Sequence, residues 1–431
     1  MLNRTLPPQT KQIENIPVSE PERRLLDNRI PLFLIGGATQ DVCRIDIVSP
    51  AGSRFEEKKL LASFTSRLIR EGTRTMSAAE LAEKIDFFGA HLDVSSGKDT
   101  AIISLYTLNK YLPETLPLLR SVLAEPAFDN SELEILRQNR IQQFLINNQK
   151  VRYLARRHFN ALIFGDDHPY GKVFDREDFD RISRDDIVDF HRKRYLTPNS
   201  YIVVSGKVSE ETYRVINDHL GGISVSNESI DPLAPFGLPV PEPSVRRIIR
   251  PGAVQSAFRM GRQTWNKLHP DYRPMKVVNT LLGGYFGSRL MTNIREDKGY
   301  TYGIGSALVS LQSGGFFFIT SEVGAGYTSD AISEVKKELE NLCGHPVPDE
   351  ELDLVRNYML GSLLRSVDGP FAQAELFRSL YDYQLDYSWL HDYLEVIRSV
   401  TADEIMSLSQ RYLHPDSLSL LIAGEAGNGH E

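Results

Sequence analysis

The sequence predicts an α+β fold of two homologous α/β-sandwich domains. Each is a mostly antiparallel or mixed sheet with helices packed on one face, and the two face each other across a central cleft. Three observations carry this expectation. Helical and strand-like periodicities alternate along the whole chain, the pattern of helices layered on sheets. The segment ISRDDIVDFHRKRYLTPNSYIVVSG (182–206) also matches VTADEIMSLSQRYLHPDSLSLLIAG (400–424): a capped helix, an Arg-Tyr-Leu-x-Pro turn, then an apolar strand ending at Gly206 or Gly424. SELEILRQN (131–139) likewise matches EELDLVRN (350–357), and the offsets stay between 217 and 219, as an internal duplication requires. Finally, Ser226 to Ser244 holds five prolines and few long apolar residues. Such a stretch is an extended, stiffened linker. The boundaries follow: domain 1–225, linker 226–244, domain 245–431.

The elements can be justified in order. Arg44 to Val48 alternates, with Cys43, Ile45 and Ile47 on one side, and predicts a half-buried strand. Leu60 to Arg70 predicts a helix closed by Gly72. Ser77 to Phe88 predicts a second helix, with Ser77 as N-cap, Glu80 three residues on, and Leu81, Ile85 and Phe88 on one face. Ala90 to Ser95 and Ala101 to Thr107 predict a hairpin across the polar turn SSGKD. Helical periodicity returns over Glu114 to Leu123. It then runs as one long helix from Asn130 to Phe164, whose arginines and lysines between Arg137 and Arg157 read as a solvated face.

Composition limits the function classes. The chain has 431 residues, 41% apolar and 25% charged, so it is long enough to bury large cores without metal or disulfide. A net charge of −8 repels phosphate backbones and argues against a nucleic-acid partner. Cys43 and Cys343 lie 300 positions apart and read as reduced thiols of a cytoplasmic protein. The start, MLNRTLPPQTKQIENIP, is polar and lacks the apolar core of a signal peptide. No apolar run reaches membrane-spanning length, so no membrane span is expected.

Local motifs carry little chemistry by themselves. No two histidines stand at helical zinc spacing, and no GxSxG, Walker loop or CxxC occurs. His168, in GDDHPYG, reads as a loop residue. GGYFGS (283–288) lacks dinucleotide-loop spacing and reads as a tight turn before a helix. Composition and pattern alone stop at a duplicated α+β protein with a central cleft.

The order of elements and several motifs go further. SRLIREGT (66–73), GAHLDVSSGKDTAIISL (89–105), AEPAFDNSELE (124–134), FGDDHPYG (164–171) and SRLMTNIREDKGYTYGIGS (288–306) together resemble the pitrilysin/insulinase family of zinc metallopeptidases, the inverzincins. The chain is most similar to its two-domain members of the processing-peptidase type, over about residues 20 to 425. Active members carry H-x-x-E-H shortly before a Gly-Thr, with a further glutamate some way downstream. Aligned on Gly72-Thr73, the resemblance puts Ser63, Ser66 and Arg67 at the H-x-x-E-H positions, and Gln143 at or within a residue of the distal glutamate. It therefore implies a chain with no metal and no catalytic residues of its own. The family's R-x6-Y pair, which reaches substrate from the second domain, is kept as Arg295 and Tyr302.

The resemblance implies a zinc-free, non-catalytic subunit of a heterodimeric metallopeptidase, inactive alone. Its partner would be a homologous chain bearing H-x-x-E-H and the zinc. This chain would close the chamber, bind peptide and donate Arg295 and Tyr302 in trans, and it could form homodimers when expressed alone. The alternative is a peptide-binding or scaffold protein with no protease partner.

Overall fold

The computed structural model describes residue 13 and residues 16–425; most of the polar opening segment MLNRTLPPQTKQIENIP lies outside the described residues. The first half runs β1 (Glu22–Leu25), β2 (Pro31–Ile35), β3 (Val42–Ser49), α1 (Leu61–Leu68), α2 (Ala78–Phe87), β4 (His91–Ser96), β5 (Ala101–Leu108), α3 (Leu112–Ala124), α4 (Asn130–Asn147), α5 (Val151–Phe164), α6 (Arg184–Arg194), β6 (Tyr201–Gly206) and α7 (Glu210–Leu220). The second half runs β7 (Val245–Ile249), β8 (Gln255–Thr264), α8 (Tyr272–Asn279), β9 (Thr301–Leu311), β10 (Gly314–Gly324), α9 (Thr328–Gly344), α10 (Asp349–Arg365), α11 (Gly369–Tyr381), α12 (Ser388–Ser399), α13 (Ala402–Tyr412) and β11 (Ser419–Gly424). Residues 226–244 form no helix or strand.

The strand orders show the duplication. One sheet is β1-β2-β6-β3-β5-β4 and the other is β7-β11-β8-β10-β9. Apart from the extra edge strand β1, each position in one has its counterpart in the other. In both sheets one parallel pair (β2 with β6, β7 with β11) adjoins antiparallel neighbours, giving a mixed sheet. The matched glycines share a cause. A Cβ on Gly206 would meet the Val42 carbonyl oxygen at 2.3 Å, and one on Gly424 would meet Ser256 Oγ at 2.1 Å. Each closes its strand where the antiparallel neighbour crosses too near for a side chain.

Local signals set the helix starts. Ser77, Ser183 and Thr401 each accept from the backbone N–H three residues on, and Glu80, Asp186 and Glu404 reach back to complete the box. The expected single helix over Asn130 to Phe164 is instead two. Asn148 caps the C-terminal end of α4 and Lys150 is extended (φ −94°, ψ 122°) before α5 begins. Asparagine propagates a helix poorly, and the break frees α5 to pack elsewhere.

That packing joins the halves. One face of the first sheet builds a core with helices of its own half, among them Phe64, Leu116, Ile187 and Ile216. Its opposite face, at Phe33, Val48, Tyr201 and Val203, is covered by α11 from the second half, through Ala374 and Phe377. The second sheet is matched: its own helices cover one face, and α5 from the first half covers the other, with Phe159 and Phe164 against Ala257, Leu421 and Phe316. Each half thus lends a helix to the other.

Candidate functional site

The four positions at which the resemblance implies a degenerate zinc motif lie on α1 and α4, which pack together. The start of α1 is held by Glu56, whose carboxylate accepts from the N–H groups of Leu60 and Ala62, both at 3.2 Å. Leu60 sits in the left-handed region at φ 74°, a conformation that costs a non-glycine residue about 1 kcal/mol or more and that the two bonds fix. Burial raises the Glu56 carboxyl to about 7, against the two backbone donors and nearby Lys172 and Lys98. A carboxyl whose folded value lies above its unfolded one near 4.5 favours the folded state most at low pH. We therefore expect stability to fall between about pH 4.5 and 7, by at most about 1.4 kcal/mol per pH unit from this group. Denaturant titrations at both ends of the window check this, and a Glu56→Gln chain should lose that slope.

On this scaffold Ser63 Oγ accepts from Arg140 Nη2 at 3.2 Å, and buried Ser66 turns its hydroxyl back to the Ser63 carbonyl at 3.1 Å. Arg67 and Gln143 open onto the same cavity of about 740 Å³. Zinc requires imidazole, thiolate or carboxylate donors; a serine engaged by a guanidinium, a second arginine and an amide do not fit it. Among the described residues, no three His, Cys, Asp or Glu side chains are placed to hold a metal ion.

The cavity is built from both halves: α1, α4 and α5 on one side, strands β8, β9 and β10 on the other. Its wall carries Arg67, Lys98, Arg140, Arg156, Arg157, Lys172 and Arg259, and no acidic residue. The helix face that the sequence reading left to solvent is thus corrected: Arg140, Arg156 and Arg157 turn into the cleft. The signal was available, because residues 135–165 hold six lysines and arginines and no aspartate or glutamate. Arg67 and Arg259 carry no comparable signal, since only tertiary packing brings them there.

Arg295 and Tyr302 stand elsewhere. Arg295 ends the π-helical turn Met291–Asp297, lies over the Phe286 ring at 4.5 Å and sits 3.8 Å from Glu296. The loop GGYFGS is the tight turn expected, and it supplies that ring. Tyr302 is the second residue of β9, an edge strand of the second sheet, is 97% exposed, and its side chain has no hydrogen-bond or ring partner among the described residues. Seven residues separate it from Val309 in the cavity wall, about 23 Å at the rise of a strand. Tyr302 therefore stands away from Ser63 and Arg67 of its own chain, and neither it nor the half-buried Arg295 lines their cavity. Tyr300, two residues short of the R-x6-Y spacing, stacks on Tyr327 at 5.0 Å. His168 is structural: its Nδ1 accepts from the Tyr170 N–H at 3.0 Å and it packs on Phe164 and Phe236. No described helix is long and apolar enough to cross a membrane.

Comparison with known proteins bears on this arrangement. Residues 33–166 match the family model described as Insulinase (Peptidase family M16), and residues 181–359 match that described as Peptidase M16 inactive domain. An uncharacterized zinc protease of Mycobacterium leprae is 23% identical over 82% of this chain and 80% of its own length. The uncharacterized zinc protease YmxG of Bacillus subtilis is 21% identical over 94% of this chain and 99% of its own. Among solved structures, a peptidase M16 inactive domain from Pseudomonas fluorescens superposes with TM-score 0.84 at 21% identity, covering 94% and 98% of the two chains. A protease from Helicobacter pylori superposes with TM-score 0.84 at 18% identity, covering 94% and 99%. At these identities the superpositions speak to the fold.

Proposed function

The chain belongs to the insulinase family, peptidase family M16, and from that premise we propose that it is the zinc-free, non-catalytic subunit of a heterodimeric metallopeptidase. Its partner is a homologous chain that carries H-x-x-E-H and the zinc. This subunit closes the chamber, binds peptide and presents Arg295 and Tyr302 to the partner's site. The observation that carries the reading is a contrast within one molecule. The positions where the family binds metal hold Arg67 and an arginine-engaged Ser63, while Tyr302 faces outward from the edge strand β9 and Arg295 lies half-buried on the turn before it.

The chemistry follows from what this chain can reach. Peptide hydrolysis builds negative charge on the scissile carbonyl oxygen. A guanidinium braced by Phe286 and a phenol on an edge strand can donate to that oxygen, or to neighbouring backbone carbonyls of an extended peptide. Zinc, held by the partner, would supply the activated water. We place the assembly in the cytoplasm, where Cys43, whose thiol burial pushes up to about 12, and Cys343 stay reduced.

Co-expression with an H-x-x-E-H homologue is expected to give one species on size exclusion, with zinc stoichiometric to the partner alone. The isolated chain should retain no stoichiometric zinc after dialysis and hydrolyse no peptide. Separate elution of the two chains overturns the reading. So does zinc in the isolated chain that is lost on Ser63→Ala or Gln143→Ala.

A further inference from the structure

The interdomain cleft is charged in a way the trans-donation reading does not use. Four of its guanidiniums have no carboxylate partner among the described residues. Arg140 donates only to the neutral Ser63 hydroxyl. Arg259 lies over the Phe318 ring at 4.4 Å and near Phe159 at 5.8 Å. Arg67 and Arg156 make no hydrogen bond or ion pair among the described residues, and both are exposed at the cleft. They repel in two pairs, Arg67 with Arg140 and Arg156 with Arg259. Burial and Arg67 both push Arg140 below its ordinary value, and burial, Arg156 and Arg152 bring Arg259 down to about 10. A protein with a net charge of −8 has carboxylates to spare, yet of the five cleft arginines only Arg157 pairs with one, Asp175 at 2.6 Å.

The opposite wall, Arg259 apart, is apolar: Phe316 and Phe318 of β10, stacked at 5.6 Å, stand beside that arginine. Clefts with low-dielectric walls and charge of one sign concentrate ligands of the opposite sign. Guanidiniums match carboxylates by paired, parallel hydrogen bonds, which a lysine-lined cleft would not do as well. A volume of about 740 Å³ holds several side chains rather than one small ion.

We propose that this cleft binds an acidic peptide segment, its carboxylates pairing with Arg67 and Arg140 at one end and Arg156 and Arg259 at the other, and its apolar side chains lying on Phe316 and Phe318. The inference deepens the peptide-binding part of the proposed function and rests on it. It gives that function a substrate class: peptides in which carboxylates alternate with apolar residues. The cleft lies away from Arg295 and Tyr302, so it acts as a holding and selecting site, not as a donor to the reacting carbonyl.

Calorimetric titration of the full chain tests it directly. The probes are a short peptide alternating glutamate with phenylalanine, its lysine counterpart, and inorganic tripolyphosphate. We expect the glutamate peptide to bind, more weakly at high salt, and the lysine peptide not to bind. Arg140→Gln and Arg259→Gln should each weaken binding by about tenfold or more. Both variants should melt no lower than the parent, because each relieves repulsion between like charges. Equal binding of the two peptides overturns the inference. So does binding of tripolyphosphate without the glutamate peptide, or parental affinity in both variants. The proposed subunit role fails separately. Acidic-peptide binding by a chain that never pairs with an H-x-x-E-H homologue would sink that role and leave this inference standing. An active pair that depends on Arg295 and ignores the acidic peptide would do the reverse.

Discussion

Arg295→Ala is expected to lower kcat/KM of the assembled peptidase about a hundred- to a thousandfold, the usual effect of losing one donor to a developing oxyanion, or about 2.7–4 kcal/mol. Pairing and zinc content should be unchanged. The structure makes the alternative, that Arg295 merely braces its own helix end, separable from this. Its contact with Glu296 is 3.8 Å long and partly exposed, and such surface pairs contribute about 0–1 kcal/mol. Its placement over Phe286 is worth a similar amount at an exposed site. A structural role therefore predicts a small drop in melting temperature and normal activity per folded molecule. A trans role predicts a large loss of activity at nearly unchanged melting temperature. Tyr302→Phe should act in the same direction and more mildly, since the 97% exposed Tyr302 has no side-chain partner to lose among the described residues. If the pair serves only ground-state binding, KM rises and kcat holds. Full activity in a stable double variant would leave this chain without a catalytic contribution and favour a scaffold.

Much of the fold was legible because its signals are local or repeated. The capping boxes at Ser77, Ser183 and Thr401 are read from residues three positions apart, and the structure forms them. The hairpin across SSGKD formed as β4 and β5. The Arg-Tyr-Leu-x-Pro repeat signalled matched strands, which became β6 and β11 at matched places in two sheets. What escaped depends on distant residues. Periodicity alone continued the helix from Asn130 to Phe164. Asn148 permits the turn at residues 148–150, and the sheet of the other half, against which Phe159 and Phe164 pack, rewards it. The cationic cleft was half legible. The acid-free run 135–165 announces unpaired charge, but its convergence with Arg67 and Arg259 requires α5 to lie on the second sheet.

The seam between the halves gives the second large expectation. Asp46, on β3, is fully buried. Its Oδ1 accepts from Arg44 Nε at 2.9 Å and from Ser104 Oγ at 2.6 Å, and its Oδ2 lies 3.3 Å from Arg378 Nη1 on α11. Arg44 also donates to Glu375 of α11 at 3.0 Å. One carboxylate thus holds two guanidiniums, one from each half, behind the sheet face that α11 covers. Removing one partner of a buried ion network strands the others, at a cost of about 3–5 kcal/mol. Asp46→Ala should destabilise the chain by that amount. Because the loss falls at the junction, it should also weaken coupling between the halves, so that unfolding broadens or splits into two transitions. Asp46→Asn keeps the shape and some hydrogen bonding, so it should cost less. A simultaneous Asp46→Leu, Arg44→Met, Arg378→Met replacement removes every charge of the triad and should recover most of the loss, as apolar substitutes for buried ion pairs do. Differential scanning calorimetry of the four proteins decides the matter. If Asp46→Ala melts as a single transition at the parental temperature, the buried network does not hold the halves together, and the exchanged helices α5 and α11 do so through apolar packing alone.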